Sequence, residues 1–464
     1  MTFALSLLFL LMIFSLSFFV LIYGGKTVTN AYSPVLGIQK AFFNVYLPLV
    51  LLTPVTAGVK LTEGIPPITI HLAVLIPILL AFFTHIIQYW KFSFLDILVI
   101  LYVFSGSTSV YLNDGYWPAQ SHLFQSIIHI LFPYILSKIL IDPMHQSVAF
   151  AKRFVLIMLI NGPIMLLEFL TGYNVDFHFF WKFFQDVPIG FSPTRFGFSR
   201  ANGPFNHTIL AGIVIIIAHR LNRWVELLKS WKSPHYPFSS ILSEGRFIRY
   251  ALIIMLLMTL SRGPMVGAIF GSILFALCMH KKDSFGFALK LLLGFATLYG
   301  IYFVISSIAS TNEKFYSEEG DWADIGTFIY RSNLLAIYEP TILEHPFFGW
   351  GIEHIPIIHP YDSTDNLYIY LALIYGLVGL TLFLVIALWV ITRLFWKAAK
   401  KNLATPRSLL AYTLACTYLA ILITFGTVWM DSQLTIIIFI FIGWCEGFLL
   451  ANEEKPSSSF QKSR

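Results

Sequence analysis

The sequence predicts an all-α integral membrane protein: a polytopic bundle of about 12–13 transmembrane helices with a large external loop containing short helices. Three observations carry this. Apolar residues make up 57% of the 464 residues and charged residues 12%, against about 25% charged in a soluble domain. Apolar stretches of about 18 or more residues recur along almost the whole chain. Lys and Arg gather in alternate intervals between them. Length alone would suggest about three soluble domains, but a mean hydropathy of +0.75 excludes a water-soluble globule or a disordered chain.

The elements follow in order, bounded by Gly, Pro or charge. The run 2–23 lacks the basic flank and small-residue cleavage site of a secretory signal and reads as a retained span. The run 41–59 is broken by Pro48 and Pro54. Clean runs follow at 67–88, 93–112, 122–141 and 150–170, and a further run at 203–221. The runs 249–261 and 263–280 flank Ser261-Arg262-Gly263; one helix through both would exceed a single span, so a tight hairpin is expected there. The runs 285–308, 366–392, 408–428 and 432–450 complete the set. Cys278, Cys416 and Cys445 lie in apolar segments at unrelated spacings, so neither a disulfide framework nor a metal cluster follows.

Orientation comes from the basic residues. Arg220, Arg223, Lys229, Lys232, Arg246 and Arg249 fill one interval, and Arg393, Lys397, Lys400, Lys401 and Arg407 another. Lys152, Arg153, Lys281, Lys282 and the tail with Lys455, Lys462 and Arg464 fall on the same side, which puts the C-terminus in the cytoplasm. The N-terminus is outside with 13 spans and inside with 12. The net charge of +6 is an orientation signal, and no nucleic-acid partner is implied. The chain 1–464 reads as a single membrane domain with two long external segments, 171–202 and 309–365. The second holds ten of the 24 Asp and Glu residues and a weakly amphipathic stretch, Trp322 to Leu343.

The few external arginines oppose the orientation bias, so each needs a local reason. Arg200 lies just before a span, Arg262 at the hairpin, and Arg331 in the long loop. A guanidinium keeps its proton and offers a rigid fork matched to phosphate oxygens. Three converging near the interface would suit a lipid-linked diphosphate; singly, each also fits an interfacial anchor or a loop ion pair. A second group, Glu353, His354, His359, Asp362 and Asp365, leads into the span 366–392. Carboxylates raised by partial burial, or His, can act as general bases. Asp365, Thr364 or Asp362 can instead cap the following helix. His207 and His354 read as structural loop residues. The group lacks a recognisable metal-ligand spacing.

The ordered combination SRANGPFNHTILAG (199–212), MTLSRGP (258–264), YRSNLLAIYEPTILEHPFFGWG (330–351) and DSTDNLYIYLALIYGLVGL (362–380) resembles the O-antigen ligase and polysaccharide polymerase family. These are glycosyltransferases of the bacterial inner membrane that use polyprenyl-diphosphate-linked glycans. The resemblance runs from about residue 190 to 385; the first 170 residues match only as generic spans. It implies that Arg200 and Arg262 hold the donor diphosphate and that Arg331 is a further basic position in the periplasmic loop. Family ligases usually carry a histidine where this chain has Asp365, so the resemblance leans towards the polymerases. It leaves Asp365, Asp362 and His359 as candidate bases, in that order.

The implied activity is polymerisation of undecaprenyl-diphosphate-linked repeat units on the periplasmic face, without metal or other cofactor. Its partners would be the lipid-linked donor, the glycan acceptor and membrane lipids; flippase and chain-length regulator proteins are candidate partners. Ligation of a finished glycan to a lipid A core is the alternative. A lipid-linked glycan transporter would instead show mid-span charge and pseudo-symmetric halves. The sequence has Asp96, His129, Glu168 and Asp431 near expected span ends and no internal repeat.

Overall fold

A computed structural model describes residues 2–26, 33–60, 66–188, 194–231, 245–280, 323–356, 358, 364–399 and 405–451, with only the backbone at 2, 280 and 323–333. Among these residues, ten helices are long and apolar enough to cross a membrane. The expected span 285–308 lies outside the described residues.

The first helix is α1 (Thr2–Gly24). The second span, Pro34–Leu52, comprises α2 (Pro34–Ala41), a π-turn over Phe42–Tyr46 and α3 (Leu47–Leu52). It starts earlier than the expected 41–59 and stops before Pro54. Strands β1 (Gly58–Val59) and β2 (Ile68–Thr69) pair antiparallel. Then come α4 (Ile70–His85) and α5 (Phe94–Asp114). The next span has the same plan as the second: α6 (Tyr116–Ser126), a π-turn over Ile127–Leu131 and α7 (Phe132–Leu140).

Both π-turns have one cause. Pro48 and Pro133 carry no N–H, so the carbonyls four residues earlier, on Asn44 and His129, lose their α-helical donor. The wider turn closes instead through Leu47 N–H to the Phe42 carbonyl and Phe132 N–H to the Ile127 carbonyl, and the helix continues.

The chain goes on through α8 (Ser147–Thr171), α9 (Val175–Trp181) and the hairpin β3 (Thr194–Arg195) and β4 (Phe198–Ser199). The hairpin tip places Phe196 at φ 54 and Gly197 at φ 78, the paired positive φ of a two-residue type I′ turn. Next are α10 (Thr208–Leu227), α11 (Arg246–Met258) and α12 (Arg262–His280). The chain leaves the helix between Met258 and Arg262, with Leu260 at φ 47. There α11 packs on α8 and α10, and α12 on α15 (Pro406–Phe425) and α10. The two helices touch each other little, so they do not pair as the tight hairpin expected; each packs mainly on other helices. The remaining helices are α13 (Ala323–Glu344), α14 (Leu367–Ala399) and α16 (Ser432–Leu450).

Helices α10, α15 and α16 are buried along nearly their whole length, whereas α1 exposes Phe3, Leu8, Met12 and Phe19. An all-round apolar helix suits either setting. Ion pairs lie at α7 and α16: Lys138 Nζ meets Asp96 at 2.6 Å with both side chains buried, and the half-buried Arg393 meets buried Glu446 at 2.8 Å.

The feature that shapes the opposite end is a break in α14. Gly376 sits at φ 66, ψ −173 inside the helix, a conformation open mainly to glycine. The segment 346–351 fills the gap. Leu377 N–H donates to the Pro346 carbonyl at 2.7 Å, and Val378 N–H to Phe347 at 3.3 Å. In return Trp350 N–H donates to Leu373 at 2.8 Å and Gly351 N–H to Ile374 at 3.2 Å. Four backbone groups freed by the break are thus satisfied, as a span in an apolar setting requires. Helix α5 secures the assembly: Ser109 Oγ donates to the Ile374 carbonyl at 2.5 Å and Asn113 Nδ2 to Gly349 at 3.1 Å. Helix α13 packs on α14 through Leu334, Tyr338 and Ile342.

Candidate active site

The site grows from three chain segments, beginning with the stretch ahead of α10. Glu168, at the end of α8, is buried and accepts the backbone N–H of Asn202 at 3.1 Å and of Gly203 at 2.8 Å. Its other oxygen accepts from Asn174 Nδ2 at 3.0 Å. A carboxylate taken from water needs such donors. Asp176 lies close by, its Oδ2 buried without a hydrogen-bond partner among the described residues. Burial first, and the nearby Glu168 second, push its carboxyl up to about 7.

This anchored stretch meets the turn between α11 and α12. Ala201 N–H donates to the Met258 carbonyl at 3.1 Å. Arg200 Nη2 donates to Thr208 Oγ1 at 2.6 Å and to Ser261 Oγ at 3.1 Å. The half-buried Arg200 therefore touches the residue preceding Arg262, which is exposed at the first position of α12. Two of the three sequence-selected arginine segments are brought together. Arg195 joins them, donating to the Leu260 carbonyl at 2.9 Å. Sequence reasoning passed it over, although it satisfies the same rule of external basic charge. Arg331 is carried by α13, and its side chain lies outside the described residues.

The third segment is the turn 426–431 between α15 and α16. A Cβ at Gly263 would overlap Thr427 Oγ1, so only glycine allows the SRG turn to sit this close. Asp431 caps α16 by accepting Leu434 N–H at 2.8 Å, and it also accepts Asn206 Nδ2 at 3.0 Å. It is buried, and that burial pushes its carboxyl up to about 6.

Asp431 also lines a cavity of about 210 Å³, bordered by Leu367 and Tyr370 from the start of α14, His122 and His129 from the α6–α7 span, and Trp429. His129 sits at the middle of the helix Tyr116–Leu140, not near a span end as the sequence suggested. The span was started too late because Tyr116-Trp-Pro-Ala-Gln reads as loop.

Of the proposed bases, Asp365 is half-buried, two residues ahead of the cavity-lining Leu367. Asp362 and His359 lie outside the described residues. The cap of α14 is Asn366, whose Oδ1 accepts Tyr368 N–H at 2.9 Å and Ile369 N–H at 3.3 Å. This corrects the capping expectation for Asp365 and Thr364; that for Asp362 falls outside the described residues. The histidines read as structural are so placed: His207 Nδ1 accepts Ile209 N–H at 3.1 Å, and His354 Nδ1 lies 2.7 Å from Asp114 Oδ1.

The described residues thus form a multi-pass bundle in which Arg195, Arg200 and Arg262 lie on adjoining segments near a cavity lined by polar side chains. Residues 250–384 match the family model described as O-Antigen ligase, in line with the resemblance carried by the motifs. Three of the four motifs fall inside that match, and the Arg200 motif lies ahead of it. No curated protein matches the chain. The family match supports a membrane enzyme of O-antigen ligase or polymerase type, acting on lipid-linked glycans.

Proposed function

We propose that the chain polymerises undecaprenyl-diphosphate-linked repeat units on the periplasmic face of the bacterial inner membrane. The observation that carries this is the hydrogen bond from Arg200 to Ser261, which sets one guanidinium beside the segment presenting another. A diphosphate seated there would gain charge-assisted bonds that strengthen as the glycosidic bond breaks.

In this reading the acceptor hydroxyl attacks the anomeric carbon and the bond from that carbon to the phosphate oxygen breaks. Undecaprenyl diphosphate departs with the electron pair. The hydroxyl proton passes to Asp365, the leading base, with Asp362 and His359 behind it. Transfer runs without a metal, because arginine carries the leaving-group charge. Polymerisation is preferred to ligation because Asp365 stands where ligases resembling this chain usually carry histidine.

Purified protein mixed with lipid-linked repeat units tests the proposal. Ladders of increasing length without added core acceptor are expected. Transfer to a lipid A core with no ladder would establish the ligase reading instead. Movement of lipid-linked glycan across vesicles without any new glycosidic bond would support a transporter.

A further inference from the structure

We propose that the cavity between the α6–α7 span, α14 and α16 is a neutral-sugar subsite, in which Gln125 and His129 position the acceptor glycan apart from the diphosphate. This inference rests on the glycosyl-transfer reading and adds a location and chemistry for the acceptor.

The first observation is the lining. Among the described residues the cavity presents Gln125, His129, Tyr370, Ser432 and Thr435, together with the Trp429 ring. Among the described residues, Asp431 is the one lining side chain with a formal negative charge, and no described Lys or Arg lines the space. A diphosphate finds no cation there and meets a buried carboxylate. A sugar ring finds groups that both donate and accept, a carboxylate to receive a hydroxyl, and an aromatic face for its C–H side.

The second observation is continuity. An adjoining cavity, also about 210 Å³, shares Gln125, His129 and Ser432 with the first and continues to Thr56 and Thr69. Together the two spaces enter the roughly 300–1,000 Å³ range of small-ligand sites. A chain of sugars, rather than a single small molecule, suits a path of two chambers, the first polar and the second walled mainly by Val55, Pro66, Pro67, Leu72, Phe124 and Ile128, against which the C–H faces of sugar rings can pack.

The third observation is the backbone that carries His129. A polar side chain at mid-helix is costly in an apolar setting and marks a substrate path by default. Here the π-turn ahead of Pro133 widens the helix at that residue, and π-turns recur at functional sites. His122 differs from it. Its Nε2 lies 2.7 Å from Tyr375 OH and its Nδ1 3.2 Å from Ser107 Oγ. It therefore holds Tyr375 at the wall, while His129 is the imidazole both chambers share. The link to the diphosphate segment is Asp431, which faces the cavity and accepts from Asn206 of the Arg200 motif.

The test uses the full chain in lipid nanodiscs with two probes: undecaprenyl diphosphate, and the repeat-unit oligosaccharide released from the producing cell's own polysaccharide. His129→Ala and Gln125→Ala are each expected to weaken oligosaccharide affinity about tenfold, the scale of one or two lost hydrogen bonds. Undecaprenyl diphosphate affinity should stay unchanged in both. Gln125→Ala lies outside the π-turn, so it guards against a local folding defect, and His129→Asn should recover part of the loss. Oligosaccharide affinity equal to wild type in both alanine variants overturns the subsite, as does failure of the unaltered protein to bind the oligosaccharide. Equal loss of both probes also overturns it, since the cavity would then hold the donor. Arg200→Ala reports separately: intact diphosphate binding there sinks the glycosyl-transfer reading, whatever the cavity variants do.

Discussion

The side-chain amide of Asn206 donates to the Asp431 carboxylate at 3.0 Å, joining the turn before α10 to the cap of the last helix. Burial raises the Asp431 carboxyl to about 6, and the Asn206 bond acts against that rise. A carboxyl whose folded pKa exceeds its unfolded value favours the protonated fold. Stability therefore falls as pH rises from about 4 to about 6 and levels off above. Asn206→Ala removes the opposing donor, so the falling part should extend to higher pH. Thermal midpoints in detergent across pH 4–8 check this; a profile identical to wild type would count against the bond.

Asp176 gives a second, separable pH effect. Its carboxyl stands at about 7, so its share of stability declines between about pH 4 and 7, with each pKa unit equivalent to about 1.4 kcal/mol. Asp176→Asn removes the ionisation and is expected to raise the thermal midpoint at pH 8 while leaving it nearly unchanged at pH 4. A lowered midpoint at pH 8 would mean that the ionised form is favoured in the fold.

Arg200→Ala is expected to reduce turnover by about 10²–10³, the scale of one lost electrostatic donor. Arg200→Lys should recover only part, because Nη2 alone reaches Thr208 and Ser261, and an ammonium has no second nitrogen to offer the diphosphate. The readout is polymer formed per mole of correctly inserted protein, and full activity of Arg200→Ala would remove the diphosphate assignment.

Asp365 and Asn366 are neighbours with different jobs, and single substitutions should separate them. Asn366→Ala deletes the cap of α14 and should lower stability by about 1 kcal/mol. Asp365→Asn should abolish most turnover with the thermal midpoint unchanged. If Asp365→Asn is silent while His359→Ala is inactive, the order of the bases reverses.

Gly376→Ala should fail to give monodisperse protein on size exclusion. A Cβ there would overlap the Phe347 carbonyl, and φ 66 is strained for alanine. Gly115→Ala is the control: it also has positive φ, with nothing within 4 Å of the added carbon, and it should be tolerated far better.

Most helices were legible because composition decides them. Runs such as 93–112, 150–170 and 432–450 reappear as α5, α8 and α16 with ends shifted by a few residues. The break at Ser261 was legible from Arg262-Gly263-Pro264. What escaped depends on backbone angles and distant partners. Several residues ahead of α14 have capping side chains, and residue type alone does not select Asn366 among them. Nothing near Gly376 announces that residues 346–351 will satisfy its helix, because that pairing joins segments far apart in sequence. His129 looked peripheral because Pro118 and Gly115 made the first turn of its helix read as loop. Arg200 was found through charge placement, while its partners Thr208 and Ser261 are too common as residue types to stand out.

The interlock between Gly376 and residues 346–351 bears on how this chain can diverge. Neither half is free to drift alone: a bulkier residue at 376, or an inserted residue between Pro346 and Gly351, leaves carbonyls and amides stranded in the other half. Related sequences should therefore keep the spacing within each half, and an epitope tag inserted between Pro346 and Gly351 should be rejected.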